Sequence, residues 1–312
     1  MTLAILCSGQ GWQHSDMFAL TAAAPEASSL FAHAAKLLDG RDPRDLVRND
    51  PDCVLHRNRC GQILCTLQAL AVRAALGAVM PDRIVVAGYS VGEVVAWGVG
   101  GLIGATDILD LVAQRAEAMD AATRAGDGLL FVRGLSPDET DRLCERCDVA
   151  IAIVNPGYAF VLGGGSAALH AAAEEAMRLR ASRIVRLPVQ VASHTRQLAT
   201  ASAAFRESLR RISVTPRVDT RILSGIDGAS VGRIDTGLDK LAAQISQTMQ
   251  WAGCLQGCVE AGATAFLELG PGRALSEMAS GAYPDVPARS VDDFKTLQGV
   301  RTWLARHGAL NP

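Results

Sequence analysis

Apolar residues in the first part of the chain form short unbroken runs that alternate with longer helical patterns. The run TLAIL at 2–6 ends in the glycine turn SGQG, and a second run, RIVVAG, occupies 83–88. Apolar positions at three- and four-residue spacing predict helices over 26–38, 61–77 and about 106–124. Strands that alternate with helices in this way predict an α/β fold with a largely parallel sheet.

The pattern changes over 127–190, which has the character of an insertion. Two strands, VAIAIV and AFVLGG, are joined by the turn NPGY, and a helix that begins after the N-cap Ser136 precedes them. With the flanking strands and a second helix, the order is β-α-β-β-α-β, which is typical of a ferredoxin-like unit. Beyond it the pattern predicts a strand at 221–226, one long helix at 241–262 and a strand at 265–270.

Composition and charge argue against nucleic-acid binding and against a membrane protein. The chain has 312 residues, a formal net charge of −2 and 49% apolar residues, so it can bury a large core and is a poor candidate for binding nucleic acid. Its apolar runs are too short for a membrane span, and we see no signal-peptide pattern. We therefore expect a cytoplasmic protein whose 8 cysteines are reduced.

The clearest chemical motif is GYSVG at 88–92, which matches G-x-S-x-G between a predicted strand and a predicted helix. In that context the glycines permit a tight turn, and Ser90 is presented at a helix N-terminus, where free N–H groups stabilise negative charge. The motif indicates acyl transfer through a serine ester, which hydrolases and transferases share. The alternative is an ordinary strand–turn–helix with an incidental serine.

A serine nucleophile needs a base. His194 is favoured by its position, because it follows the strand where the inserted unit returns to the rest of the chain, and such a junction forms the wall of a cleft. His14, after the first glycine turn, is a weaker candidate. The remaining histidines, in helices, a polar loop and the C-terminal region, are His33, His56, His170 and His307.

Eight segments, in order along nearly the whole chain, resemble the acyl-carrier-protein S-malonyltransferases and the related acyltransferase domains of fatty acid and polyketide synthases. The segments are SGQGWQ at 8–13, NRCGQ at 58–62, GYSVGE at 88–93, QRAEAM at 114–119, VNPGYAFVLGG at 154–164, ASH at 192–194, QW at 250–251 and LELGPGRAL at 267–275. The resemblance implies an α/β-hydrolase-like large domain, residues 1–126 and 191–312, interrupted by a ferredoxin-like small domain, residues 127–190.

The resemblance also implies roles for individual residues. Ser90 would be the acylated nucleophile and His194 its base, and the backbone N–H groups of Gln10 and Val91 would form the oxyanion hole. Arg115 would bind the free carboxylate of the malonyl group, a task that suits the forked guanidinium.

Three further roles follow from the same resemblance. The main-chain carbonyl of Gln250 would orient the catalytic histidine in place of a triad carboxylate, and Asn155 and Gln62 would line the substrate cleft. The implied reaction is ping-pong transfer of malonyl from malonyl-CoA to the prosthetic thiol of an acyl carrier protein, with no metal or redox cofactor.

Two departures from the family pattern bear on the substrate. Tyr89 stands where the family usually has histidine, and GYSVGE followed by AWG resembles the epsilon subunit of malonate decarboxylase, whose acceptor is a small carrier subunit. That acceptor is our expectation, with a carrier of fatty acid or polyketide synthesis as the alternative. Ser193 lies in VASH, which is intermediate between the malonyl and methylmalonyl patterns. A serine hydrolase and a non-catalytic carrier-binding subunit are rival hypotheses.

Overall fold

The computed structural model describes residues 2–81 and 83–307, and in those ranges no helix has the length and apolar character that crossing a membrane requires. The strands are β1 (Thr2–Cys7), β2 (Ile84–Gly88), β3 (Gly128–Arg133), β4 (Ala150–Asn155), β5 (Ala159–Gly164), β6 (Arg183–Arg186), β7 (Thr220–Ile222), β8 (Met249–Gln250), β9 (Ala263–Leu269) and β10 (Ala288–Ser290). The helices are α1 (Ser28–Leu37), α2 (Pro43–Asn49), α3 (Asp52–Leu55), α4 (Asn58–Leu76), α5 (Val91–Val99), α6 (Ala105–Ala122), α7 (Pro137–Cys147), α8 (Ser166–Arg178), α9 (Ala199–Leu209), α10 (Ile234–Ala243), α11 (Trp251–Glu260), α12 (Ala274–Ala282) and α13 (Leu297–His307).

The larger sheet has the order β10-β9-β1-β2-β7, and all its pairings are parallel. Its central strand β1 is buried from Leu3 to Cys7, as an unbroken apolar run in a parallel sheet should be. Helices α4, α5 and α6 pack against one another, and α5 also packs on β1 and β2. This arrangement confirms the predicted α/β class and brings the carboxyl end of β2 into the interior.

The smaller sheet contains β6-β3-β5-β4 in that order, with antiparallel pairing throughout. Helices α7 and α8 pack together and cover it with a separate apolar core. Ser136 caps α7 as predicted, because its hydroxyl accepts from the Glu139 amide while the Glu139 carboxylate accepts in return. The predicted ferredoxin-like unit is confirmed.

The single helix predicted over 241–262 was wrong. The chain leaves α10 after Ala243 and forms the two-residue strand β8, which pairs parallel with β4 and extends the smaller sheet. Polar groups in this break bind other parts of the protein: Thr248 Oγ1 donates to the Ile151 carbonyl at 2.7 Å, and the Gln250 amide donates to the Gly225 carbonyl at 2.7 Å. These long-range bonds outweigh the local preference for a continuous helix.

Candidate active site

Ser90 sits on a strained turn between β2 and α5. Its backbone angles are φ 56° and ψ −118°, a region that a residue with a side chain rarely adopts. The two flanking glycines are sterically required: a Cβ on Gly88 would lie 2.0 Å from the backbone of Gly92, and one on Gly92 would lie 2.0 Å from the Cys7 carbonyl oxygen. The turn therefore presses α5 onto β1 and presents the serine at the start of the helix.

The imidazole of His194 lies against this serine, with 2.9 Å between Nε2 and Ser90 Oγ. On the other side of the ring, Nδ1 is 2.6 Å from the main-chain oxygen of Gln244. A carbonyl only accepts, so Nδ1 carries the proton and Nε2 is free to take one from the serine. The prediction that Gln250 supplies this carbonyl was wrong. Gln250 lies six positions later, at the end of β8 and just before α11, whereas the break after α10 brings the Gln244 carbonyl to the ring.

Burial and the nearby Arg115 cation lower the pKa of His194 to about 3. Both effects disfavour the charged imidazolium, so the ring is neutral at physiological pH. A neutral imidazole with a free Nε2 is the form that a general base requires. The weaker candidate, His14, instead pairs with Asp292 at 2.9 Å.

The first glycine turn packs directly on the nucleophile. A Cβ on Gly9 would lie 2.8 Å from the Tyr89 carbonyl oxygen and 3.6 Å from Ser90 Cβ. The backbone N–H groups of Gln10 and Val91 have no hydrogen-bond partner within residues 2–81 and 83–307. Two unengaged N–H groups beside a serine are what a developing oxyanion needs.

Arg115 on α6 is buried, with 1% of its surface exposed. One of its terminal nitrogens donates to Gln62 Oε1 at 2.6 Å and the other contacts Gln244 Oε1 at 3.4 Å. Burial lowers its pKa to about 10, so the guanidinium stays protonated at neutral pH. Its Nε has no partner within the described ranges. The structure thus brings a buried cation without a directly bound carboxylate close to the serine and the histidine.

Residues that the sequence analysis did not single out complete this network. The Gln244 amide donates to the Ser90 carbonyl oxygen at 3.0 Å and to Glu93 Oε2 at 2.6 Å. Met249 Sδ accepts from the Ser90 amide at 3.3 Å. Glu93 closes the GYSVGE segment and so had a signal in the sequence. Gln244 and Met249 had none, because both fall in the stretch that the apolar pattern assigns to one helix.

A cavity of about 1020 Å³ lies between the smaller sheet, α7 and the start of α11, and Asn155 is part of its wall. Asn155 is 5% exposed, and its Oδ1 has no partner in the part of the chain that is described. Its side chain lies beside the hydroxyl of Tyr89, whose ring packs edge-on against Trp251 at 5.3 Å between centroids. Burial raises the pKa of the Tyr89 hydroxyl, which is therefore neutral. The tyrosine thus links the nucleophile turn to the cavity.

Comparison with known proteins agrees with this geometry. Residues 5–292 match the acyl transferase domain family. Malonyl CoA-acyl carrier protein transacylase from Mycobacterium tuberculosis is 30% identical over 299 residues, which cover 93% of this chain and 96% of the relative. The relative of the same name from Bacillus subtilis is 25% identical over 304 residues, covering 95% of each chain. The crystal structure of acyl-carrier-protein S-malonyltransferase from Burkholderia pseudomallei superposes with a TM-score of 0.88 at 28% identity, covering 97% of this chain and all of that one.

A strained serine on a strand–helix turn, with a histidine base on an α/β scaffold, defines the class of enzymes that form a serine acyl ester. The chain belongs to the acyl transferase domain family, within the group of acyl-carrier-protein S-malonyltransferases. It is accordingly an enzyme, an acyltransferase.

Proposed function

We propose that this protein moves a malonyl group from malonyl-CoA, through an ester at Ser90 Oγ, to the prosthetic thiol of an acyl carrier protein. The observation that carries the proposal is the pairing of two features in one buried network. Ser90 Oγ lies 2.9 Å from His194 Nε2, and the Gln244 side chain bonded to the Ser90 carbonyl also contacts the buried cation Arg115. A hydrolase of neutral acyl groups would not need that cation, whereas a malonyl group carries a carboxylate that matches it.

The side chains of Ser90 and His194 can carry out both half-reactions of this transfer. His194 Nε2 takes the Ser90 proton as Oγ attacks the thioester carbonyl, and the oxyanion is held by the N–H groups of Gln10 and Val91. The C–S bond then breaks, and His194 returns its proton to the departing coenzyme A thiolate. In the second half-reaction the carrier thiol gives its proton to His194 and attacks the ester, and Ser90 Oγ regains a proton as it leaves.

The cavity beside Asn155 supports an acceptor with a long amide-containing arm. Both coenzyme A and the phosphopantetheine group of a carrier reach the serine through a chain that contains amide N–H groups. The unpartnered Asn155 Oδ1 is a buried acceptor for such a donor, and leaving it without one costs about 1–3 kcal/mol. Gln62, by contrast, acts on the acyl end, since its Oε1 is engaged by Arg115.

Two carriers are candidates for the acceptor. The relatives are named as transacylases of acyl carrier protein, so we propose a phosphopantetheine carrier of fatty acid or polyketide synthesis as the first candidate. The carrier subunit of malonate decarboxylase, expected from the sequence, is the second. The observation that favours it is Tyr89, whose ring occupies the position of the family's usual histidine and forms part of the link to the cavity.

Mass spectrometry of the intact protein tests the ester. After incubation with malonyl-CoA, the wild type should gain one malonyl mass and Ser90→Ala none, because the attacking hydroxyl is gone. His194→Ala should acylate about 10²- to 10⁴-fold more slowly, the usual loss for a general base. Equal labelling of wild type and Ser90→Ala would remove the proposal.

Transfer rates to the two carriers, measured side by side on the malonyl-enzyme, decide the acceptor. Faster transfer to a phosphopantetheine carrier supports the first candidate. Faster transfer to a carrier that bears phosphoribosyl-dephospho-coenzyme A supports malonate decarboxylase. Tyr89→His is the matched variant, because it restores the residue usual in the family and should shift the preference towards phosphopantetheine if the tyrosine sets it.

A further inference from the structure

The amide of Gln244 has only one arrangement that satisfies its neighbours. Its Nε2 lies 3.0 Å from the Ser90 carbonyl oxygen and 2.6 Å from Glu93 Oε2, and its Oε1 lies 3.4 Å from a terminal nitrogen of Arg115. A carbonyl and a carboxylate accept, and a guanidinium only donates. The amide nitrogen must therefore face Ser90 and Glu93, which leaves the amide oxygen for Arg115.

Glu93 is the member of this set that holds the amide most closely. It lies in the first turn of α5, three residues after the nucleophile, and is fully buried. The groups that face it are Gln244, which donates to it at 2.6 Å, the Gly225 backbone, the Arg115 guanidinium, the Asp227 side chain and the neutral Cys254 thiol. Gly225 leaves no room for a side chain, because a Cβ there would lie 2.5 Å from Glu93 Oε2.

We propose that Glu93 is a positioning residue for malonyl recognition: through the Gln244 amide it fixes the guanidinium of Arg115 for the substrate carboxylate. This inference rests on the proposed function and adds a selectivity role to the G-x-S-x-G segment. Gln62 holds one terminal nitrogen of Arg115 directly at 2.6 Å, and the Glu93–Gln244 pair holds the other. The Nε of the fork, which has no partner in the described ranges, then remains available to the substrate carboxylate.

Glu93→Gln tests the role with almost no change in size. The new amide can still accept from Gln244 through its oxygen, but it does so as a neutral group, so the hold on the Gln244 amide, and through it on Arg115, is weaker. We expect kcat/KM for malonyl-CoA to fall about 10- to 100-fold, the effect of losing one hydrogen bond to a charged group, mainly through KM. Acetyl-CoA has no carboxylate, so its kcat/KM should change little.

The malonyl-to-acetyl selectivity ratio should also depend on pH. Burial raises the pKa of Glu93 to about 7, with Asp227 adding to the rise and Gln244, Gly225 and Arg115 opposing it. Protonation below that pH turns one carboxylate oxygen into a donor and weakens the preference for the Gln244 nitrogen. In the wild type the ratio should therefore decline below about pH 7. In Glu93→Gln it should be low at every pH and flat.

A double-mutant cycle separates positioning from general damage. In a Gln244→Leu background the amide bridge is absent, so adding Glu93→Gln should leave the malonyl-to-acetyl ratio unchanged. Glu268→Gln is the matched control, because Glu268 is also buried with a pKa raised to about 7 by burial, yet contacts Ser8 and Ser276 instead. This variant should lower kcat/KM for malonyl-CoA and acetyl-CoA by the same factor, or leave both unchanged.

Two results would overturn the proposal. One is an equal fall in kcat/KM for malonyl-CoA and acetyl-CoA in Glu93→Gln. The other is a further fall in the malonyl-to-acetyl ratio when Glu93→Gln is added to Gln244→Leu. Failure of the underlying function has a different signature, since a wild type that forms no malonyl ester at Ser90 gives no ratio to compare. Thermal melting of each variant, run in parallel, establishes that the compared proteins are folded. If Glu93→Gln does not fold, the pH dependence of the malonyl-to-acetyl ratio in the wild type decides, and a ratio that does not decline below about pH 7 overturns the proposal.

Discussion

Arg115 places a positive charge in a buried site. The guanidinium remains charged although it is almost fully enclosed, and its partners in the described structure are neutral amides. Burying a charge without a directly bound counter-charge costs several kcal/mol, and binding of an anion would recover part of that cost. We therefore expect this site to select acyl groups by their charge.

Arg115→Ala should lose activity only with an acidic acyl group. Removing one partner of a buried charge pair costs about 2–5 kcal/mol, which corresponds to roughly 30- to 3,000-fold in kcat/KM for malonyl-CoA. Acetyl-CoA should react at much the same rate. Arg115→Lys should recover part of the loss, because an ammonium keeps the charge without the fork. The measurement is kcat/KM for malonyl-CoA and acetyl-CoA with the three proteins. An equal fall in kcat/KM for both thioesters would show that Arg115 is a structural residue.

At the same scale, the sequence predicts residues that stand in a recognisable local pattern and misses those that do not. The contact between Ser90 and His194 was anticipated, because a motif marks one and a junction between units marks the other. The histidine-orienting carbonyl was assigned to Gln250 and belongs to Gln244. Every residue has a main-chain carbonyl, so only the path of the backbone tells which one faces the ring.

At the scale of elements, the glycines of the nucleophile turn fix how closely α5 approaches β1. Gly92→Ala should destabilise the protein by roughly 3 kcal/mol, since the added methyl would overlap the Cys7 carbonyl oxygen and backbone can relieve such overlap only by moving. Gly232→Ala is the matched control, because no atom lies within 4 Å of its Cβ position, and it should stay within about 0.5 kcal/mol of wild type. Urea unfolding measures both, and indistinguishable midpoints would contradict the tight packing.

The elements that the sequence predicts well are those whose own periodicity decides their structure. β1, β2, α4 and α6 fall where apolar runs and helical spacing place them. The break between α10 and α11 could not be predicted in this way, because residues 241–262 keep helical spacing throughout. There the decisive bonds go to Ile151, Gly225 and His194, which are distant in sequence.

For the whole molecule, the buried carboxyl Glu268 makes stability depend on pH. Burial raises its pKa from 4.5 to about 7, so the folded protein keeps a proton that the unfolded chain releases at lower pH. Wild type therefore loses stability as pH rises between those values, by up to about 3 kcal/mol at 1.36 kcal/mol per pKa unit. Glu268→Gln cannot ionise and escapes this loss.

The unfolding free energies of wild type and Glu268→Gln, compared at about pH 5 and about pH 8, check this expectation. The difference should move in favour of the variant at the higher pH. The opposite contribution of His194, whose pKa is lowered, is present in both proteins and cancels. A difference that does not change with pH would mean that Glu268 is already ionised at the lower pH in the folded protein.

The two-residue strand β8 has a mechanical consequence. It belongs by sequence to the larger unit, yet its register with Ile153 and Val154 makes it the outer strand of the smaller sheet. The chain just before it carries the Ile245 oxygen that accepts from the His194 amide and the Gln244 oxygen held by the ring. Separation of the two units would break the pairing of β8 with β4 and, at the same time, displace the backbone that orients His194. Opening between the two units would therefore displace His194, the base of the proposed reaction, from Ser90.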